Sequence, residues 1–203
     1  NTVLRNASAG ALNAHGYAYN AGHQRTRRVD WAAGNYVDFA YDSLGQVTNA
    51  VGRETASGAL RYHEQWSYGY DTAGNLTGRT NDQFAEAFTL ANTGNEIASV
   101  SKIGTLTLAG AVSSGATSVT VGGQSVTPYA DGTWARRSVS PGVGGVTAQA
   151  VDAQSRVATN TIGISPATSV GLTYEADGDL QSDGRRTFSY DAEHQLVKVE
   201  IVE

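Results

Sequence analysis

The chain has 203 residues, a formal net charge of −5 and no cysteine or methionine. That length fits one or two domains with a genuine core; the missing cysteine excludes disulfides and thiolate metal sites, and the mild negative charge gives no pull toward nucleic acid or an anionic membrane. No run approaches the length of a transmembrane helix, no signal peptide is visible, and an opening at Asn1 rather than Met reads as a piece cut from something larger.

Many Tyr, Thr and Val residues between frequent Gly, Asn and Asp predict an all-β chain with many turns. Residues 1–12 are short and polar, the expected tail of a preceding unit. The first clear unit is Tyr17-Ala18-Tyr19-Asn20-Ala21-Gly22-His23-Gln24-Arg25-Thr26. Its tyrosines are two apart and share one face of a strand. Asn20 starts a tight turn, and His23 is a residue type that tolerates the positive φ the turn needs. Arg25, Arg27 and Arg28 follow; in a strand they alternate faces, so they read as a solvated face and not as a nucleic-acid patch.

Residues 36–41 alternate as a half-buried strand ending at Tyr41. Asp42 then accepts a backbone N–H and Gly45 supplies φ > 0, the recipe for a type I turn closed by a left-handed residue. Residues 61–70 form a long strand with Tyr62, Trp66, Tyr68 and Tyr70 at even positions, predicting one aromatic face toward the core. The turn from Asp71 to Gly74 follows. A worn version is Phe88-Thr89-Leu90-Ala91-Asn92-Thr93-Gly94-Asn95-Glu96-Ile97. Two more corners lie at Tyr174-Glu175-Ala176-Asp177-Gly178-Asp179-Leu180 and Phe188-Ser189-Tyr190-Asp191-Ala192-Glu193-His194-Gln195-Leu196, the second again with His in place of Gly.

These are internal repeats, which take precedence because they fix the architecture. The pattern, roughly Tyr-x-Tyr-Asp-x-x-Gly-Asn/Gln-Leu/Arg-Thr, resembles the YD repeats of the Rhs family, which includes bacterial Rhs and Tc-type toxin shells and the related teneurins. The resemblance covers about residues 11–98 and 168–203. It implies successive β-hairpins spiralling into a large sheet that can close into a hollow shell. The structural turn residues are Tyr19, Asn20, Tyr41, Asp42, Gly45, Tyr70, Asp71, Gly74, Tyr174, Asp177, Gly178, Tyr190 and Asp191.

The spacing between repeats breaks once. Tyr19 to Tyr41 is 22 residues, Tyr41 to Tyr70 is 29 and Tyr70 to Leu90 is 20, but Leu90 to Tyr174 is 84. Removing one ordinary repeat leaves an insert of about 64 residues, at 102–165. There charges thin out, and short alternating strands are predicted at 106–110, 118–121, 126–129, 133–139, 146–152 and 157–164. Ser118-Val119-Thr120-Val121-Gly122-Gly123, Ala130-Asp131-Gly132-Thr133-Trp134 and the run from Ala148 to Thr159 resemble the small immunoglobulin-like modules of bacterial surface proteins. Ser155-Arg156 stands where that family has Gly-Asn, which leaves the turn type open.

No chemical site emerges. His23 and His194 sit in turn slots, and His15 and His63 stand alone. The acidic run Glu175, Asp177, Asp179 and Asp183 offers carboxylate oxygens of the kind that hold calcium, but Asp177-Gly178-Asp179 lies in the repeat turn itself and the full EF-hand spacing is missing, so no metal is assigned. Pro141-Gly142-Val143-Gly144-Gly145 has neither the Lys-Ser/Thr nor the helix of a phosphate loop. No serine occupies a Gly-x-Ser-x-Gly elbow. Asp42, Asp71 and Asp191 fill one repeated turn slot, a structural position. The Asp-Pro-containing self-cleavage region of Rhs shells is not matched.

The expected fold is all-β: a YD-repeat hairpin array, 1–101 and 166–203, interrupted by an immunoglobulin-like β-sandwich at 102–165. The expected role is a non-enzymatic structural segment of an exported bacterial Rhs/YD-repeat protein, secreted or at the cell surface. No cofactor, nucleic acid or membrane span is expected; the partners are other repeats of the same protein or copies of itself. Six hairpins are too few to close a shell, and open edges favour pairing into an extracellular fibre. Two alternatives stay open. One is a shell fragment of a polymorphic toxin enclosing a toxic domain. The other is an adhesion module whose sandwich binds a surface glycan or protein, with Tyr129 and Trp134 as contacts.

Overall fold

The computed structural model describes residues 2–5, 11–91, 96–113, 115–142, 144–164 and 166–202. The chain is all-β, and among the described residues it has no helix. Asn92, Thr93, Gly94 and Asn95 of the worn turn, Val143 of the glycine-rich loop and Ser165 at the insert boundary lie outside the described residues.

The strands are β1 (Thr2–Arg5), β2 (Ala11–Tyr19), β3 (Arg25–Asp30), β4 (Asn35–Tyr41), β5 (Val47–Glu54), β6 (Leu60–Tyr70), β7 (Leu76–Asn81), β8 (Phe84–Leu90), β9 (Ile97–Gly104) and β10 (Leu106–Ala111). They continue as β11 (Ala116–Val121), β12 (Gln124–Val126), β13 (Thr133–Val139), β14 (Gly144–Asp152), β15 (Val157–Ile164), β16 (Ser169–Gly171), β17 (Thr173–Tyr174), β18 (Leu180–Ser182), β19 (Arg186–Tyr190) and β20 (Leu196–Ile201). The strand expected at 126–129 is a correction: β12 ends at Val126, because Tyr129 already opens the next turn with its N–H on the Thr133 carbonyl at 2.7 Å.

The chain folds as two compact units. The first comprises residues 1–68, 80–84 and 104–166. Within it, β1 to β6 pair antiparallel in chain order. Such a ladder follows from short hairpin loops, which return each strand beside the last. The same unit holds two further sheets, β10-β13 and β12-β11-β14-β15. Their facing side chains make the main apolar core: Val119, Val121 and Trp134 are buried, with Leu108, Val112, Val126, Val146, Ala148 and Ala150 against them. The alternation of 118–121 produces this directly, since Val119 and Val121 point one way and Ser118 and Thr120 the other.

The second unit comprises residues 69–79, 85–103 and 167–203. It holds the strand order β7-β8-β9-β16 and the sheet β17-β18-β19-β20. Near the boundaries expected from motif type, 101/102 and 165/166, the chain passes between the two units at 103/104 and 166/167, and residues 104–166 group with 1–68.

One packing expectation is corrected. Tyr62, Trp66, Tyr68 and Tyr70 of β6 are half-buried, and the strand's one fully buried position is Arg61, 1% exposed. The reason is electrostatic: Arg61 is surrounded by carboxylates, which repay its burial.

Candidate functional site

The recurrent corner is built by backbone bonds around one side chain. In the corners that open at Asn20, Asp42, Asp71, Glu175 and Asp191 the first residue donates its N–H to the carbonyl four residues on and accepts from the N–H three residues on, whereas in the worn corner Ala91 donates to the Glu96 carbonyl five residues on, at 2.7 Å. The first of these bonds measures 3.0 Å at Asn20, Asp42, Asp71 and Asp191, and the second 3.0–3.2 Å. The carboxylate finishes the corner. Asp42 Oδ1 accepts from the N–H groups of Leu44 and Gln46, both at 2.9 Å. Asp71 Oδ1 does the same for Ala73 (2.9 Å) and Asn75 (2.8 Å), and Asp191 Oδ1 for Glu193 (3.0 Å) and Gln195 (2.9 Å). In the first corner Asn20 Oδ1 takes the Gln24 N–H at 3.0 Å.

In these five corners the fourth slot is left-handed: φ is 61° at His23, 87° at Gly45, 89° at Gly74, 96° at Gly178 and 61° at His194. In the Tyr174 corner Glu175 occupies the first slot, with bonds of 2.9 and 3.1 Å, while Asp177 directly precedes Gly178. The insert reuses the device. Asp152 Oδ1 accepts from Gln154 and Arg156, both at 2.9 Å, and Ser155 stands at φ 60°. Ser155-Arg156 thus changes the residues of the turn and not its geometry.

The side-chain amide of Asn75, then backbone N–H groups, hold the Asp71 carboxyl below the usual carboxylate range, and the Arg156 N–H does the same for Asp152. A carboxyl so held stays ionised and anchors a turn; it is no proton donor near neutrality. The flanking tyrosines act similarly. Tyr41 donates its hydroxyl to the Arg25 carbonyl at 2.7 Å and Tyr174 to that of Ile97 at 3.1 Å. Tyr19 is exposed, and Tyr70 and Tyr190 are half-buried. Arg25 and Arg27 lie over the rings of Tyr17 and Tyr36, at 4.5 and 4.2 Å.

Sequence reasoning missed the most constrained cluster. Buried Arg61 donates from Nη1 to Glu54 (2.6 Å), from Nε to Glu64 (3.0 Å), and from Nη2 to Asp131 (2.8 Å) and Thr133 Oγ1 (2.9 Å). Burial opposes the charge, but the hydrogen bonds to Asp131 and Glu54 more than offset it and raise the guanidinium above its ordinary value. Glu54 also accepts the Ala130 N–H at 3.0 Å. A second tie joins Asp82 to Arg137 through two bonds of 2.7 Å, with Arg137 lying 4.2 Å over the Tyr62 ring. The only signal in the sequence was a lone arginine in an aromatic-rich strand.

Tyr129 and Trp134, the expected ligand contacts, are engaged in packing. The Tyr129 hydroxyl accepts the Tyr62 N–H at 3.0 Å, and its ring lies 4.7 Å from the Arg61 guanidinium. Trp134 is 5% exposed in the sandwich core. Among the described residues one group has metal-ligand character: Asp177, Asp179 and His194, whose donor atoms lie within 4.8 Å of one another.

Scanned against family models and against curated proteins, the chain matches none. Among solved structures it is similar to the crystal structure of TcdB2-TccC3-Cdc42, at 10% identity and a TM-score of 0.40, over 99% of this chain and 11% of that one. It is also similar to a Photorhabdus luminescens Tc holotoxin pore, at 12% identity and a TM-score of 0.40, again over 99% of this chain and 11% of that one. The chain therefore spans about a tenth of the length of either, and a likeness at that score bears no functional weight.

Proposed function

We propose that this chain is a wall-building segment of an exported bacterial repeat protein of the Rhs/YD class, and that it extends by strand pairing at its edges. The observation that carries the reading is the recurrent corner: one backbone geometry rebuilt at Asn20, Asp42, Asp71, Glu175 and Asp191 from different residues. A side chain repeated in every corner for a backbone duty serves architecture. The polar clusters around Arg61 and Asp82 tie strands together.

Edge pairing is supported by β20. Among the described residues it ends its sheet, pairs only with β19, and exposes Leu196, Val197, Val199 and Ile201. An apolar strand with free backbone groups is a template for another strand. In this reading the partner is a further repeat or another copy, and a fibre or a shell wall is the product. The immunoglobulin-like sandwich is a decoration of the array. Adhesion through Tyr129 and Trp134 has less support, because packing already occupies both.

Light scattering with negative-stain electron microscopy on the whole chain tests this. Concentration-dependent ordered assemblies are expected, and Val199→Lys should dissolve them. A strict monomer at every concentration overturns edge pairing between copies.

A further inference from the structure

We propose a binding site for a divalent first-row transition ion of the zinc type between two successive corners, with His194 Nδ1 and the carboxylates of Asp177 and Asp179 as ligands. The corners stack so that the left-handed slot of one meets the exit residue of the corner before it. A Cβ on Gly45 would lie 3.0 Å from Gln24 Nε2, and one on Gly178 would lie 3.7 Å from Glu96 Oε1. His194 repeats the relationship: its Nδ1 stands 2.8 Å from Asp179 Oδ2 and 3.9 Å from Asp177 Oδ2. The stacking of corners thus brings His194 to Asp179, and Asp177, one position before the left-handed Gly178, stands at the edge of the same pair. At the matching place in the first pair of corners the residues are Gln24 and Gly45, which offer no such ligand set.

The chemistry fits one class of ion. Imidazole nitrogen with carboxylate oxygen suits zinc, nickel or cobalt, whereas calcium and magnesium demand six or more oxygens. Two carboxylates balance a doubly charged ion. Metal–ligand bonds of about 2.0–2.2 Å let one ion span donors up to about 4.4 Å apart, so a set whose donor atoms lie within 4.8 Å needs a small inward turn of one carboxylate. Asp179 is the more enclosed carboxylate, 19% exposed, and Asp177, at 55%, is free to rotate inward. Solvent completes the coordination.

Isothermal titration of the whole chain with zinc chloride near neutral pH tests the site. One ion per chain is expected. His194→Gly and Asp179→Asn should each weaken binding by about tenfold or more, and His23→Gly, the matched substitution in another corner, should leave it unchanged. Glycine is the native residue in this slot at Gly45, Gly74 and Gly178, so His194→Gly preserves the turn; should its circular dichroism differ, Asp179→Asn decides. Equal zinc binding by wild type and Asp179→Asn, no binding by wild type up to millimolar zinc, or equally tight binding of calcium chloride overturns the proposal.

Discussion

Arg61 and Asp131 stand 70 residues apart in the chain and 2.8 Å apart in space, guanidinium Nη2 to carboxylate Oδ2. One buried cation thus joins the strand β6 to the turn before β13, with Glu54 and Glu64 completing its shell. Such a network is weak evidence of net stability, yet removing one member is costly, because the others lose their partner where water cannot replace it. Arg61→Met should therefore destabilise the first unit by about 3–5 kcal/mol, read as a lower urea midpoint. Adding Glu54→Gln and Asp131→Asn to that variant should recover part of the loss. A cost near that of an exposed pair, under about 1 kcal/mol, would show that solvent reaches the cluster.

Acid should unfold the protein by a route readable from its carboxylates. For Asp131, burial opposes ionisation, but hydrogen bonds from Thr133 and Arg61 outweigh it and lower the carboxyl's value. Glu64 is likewise lowered, burial being outweighed by His63 and Arg61, and Asp183 by Arg186 and two backbone N–H groups. Asp71 is lowered chiefly by Asn75. Each folded value lies below the unfolded one, so the unfolded chain binds more protons in the acid range. Their stabilisation is complete above the ordinary carboxylate value of about 4 and is lost as pH falls through the lowered folded values. The carboxylates keep their full contribution down to about pH 5 and lose it below, while His194, raised by its hydrogen bond to Asp179, adds stability as pH falls from neutrality toward its ordinary value. A urea midpoint that rises as pH falls below about 5 would contradict these assignments.

The left-handed slots make a sharper prediction. A β-branched side chain at φ 89° collides with its own backbone, so Gly74→Val should cost about 1–2 kcal/mol. His23, already at φ 61°, gains relief from strain on replacement by glycine and loses about as much to the freer unfolded chain. His23→Gly should therefore change stability by less than about 1 kcal/mol. Chemical denaturation of both variants checks the pair, and equal costs would refute the shared geometry.

What the sequence revealed and what it hid divide by range. A corner closes within five residues, so Asp42 with Gly45 or Asp191 with His194 could be read directly; even Ser155 was locatable from Asp152 three residues earlier. The strand alternation that buries Val119 and Val121 is equally local. Arg61 was illegible because its charge is balanced by Asp131 across 70 residues of chain. The aromatic face of β6 misled for a related reason. Periodicity states which residues share a face, and only tertiary packing states how deeply that face is covered. The ligand set at His194 needed both levels, since the corners are local and their stacking is not.

The sandwich core supplies the last prediction, and it rests on what a missing methyl group permits. Trp134 lies flat against Gly110 of β10: a Cβ built there would fall 2.5 Å from Trp134 Cζ2 and 2.9 Å from Cε2. Register explains the approach, because Gly110 is the direct cross-strand partner of Trp134. Elsewhere in a strand, glycine is a weakness that alanine improves. Here the sign should reverse. Gly110→Ala forces the indole out of the cluster it makes with Val119 and Val121, an overpacking cost of about 1–3 kcal/mol. Trp134→Ala removes the indole outright, at about 3–5 kcal/mol. In the Trp134→Ala background, Gly110→Ala should lose its penalty, because its clash partner is gone. Thermal unfolding of the two single variants and the double variant closes that cycle. Additive losses would mean that the indole and the glycine do not share the space assigned to them.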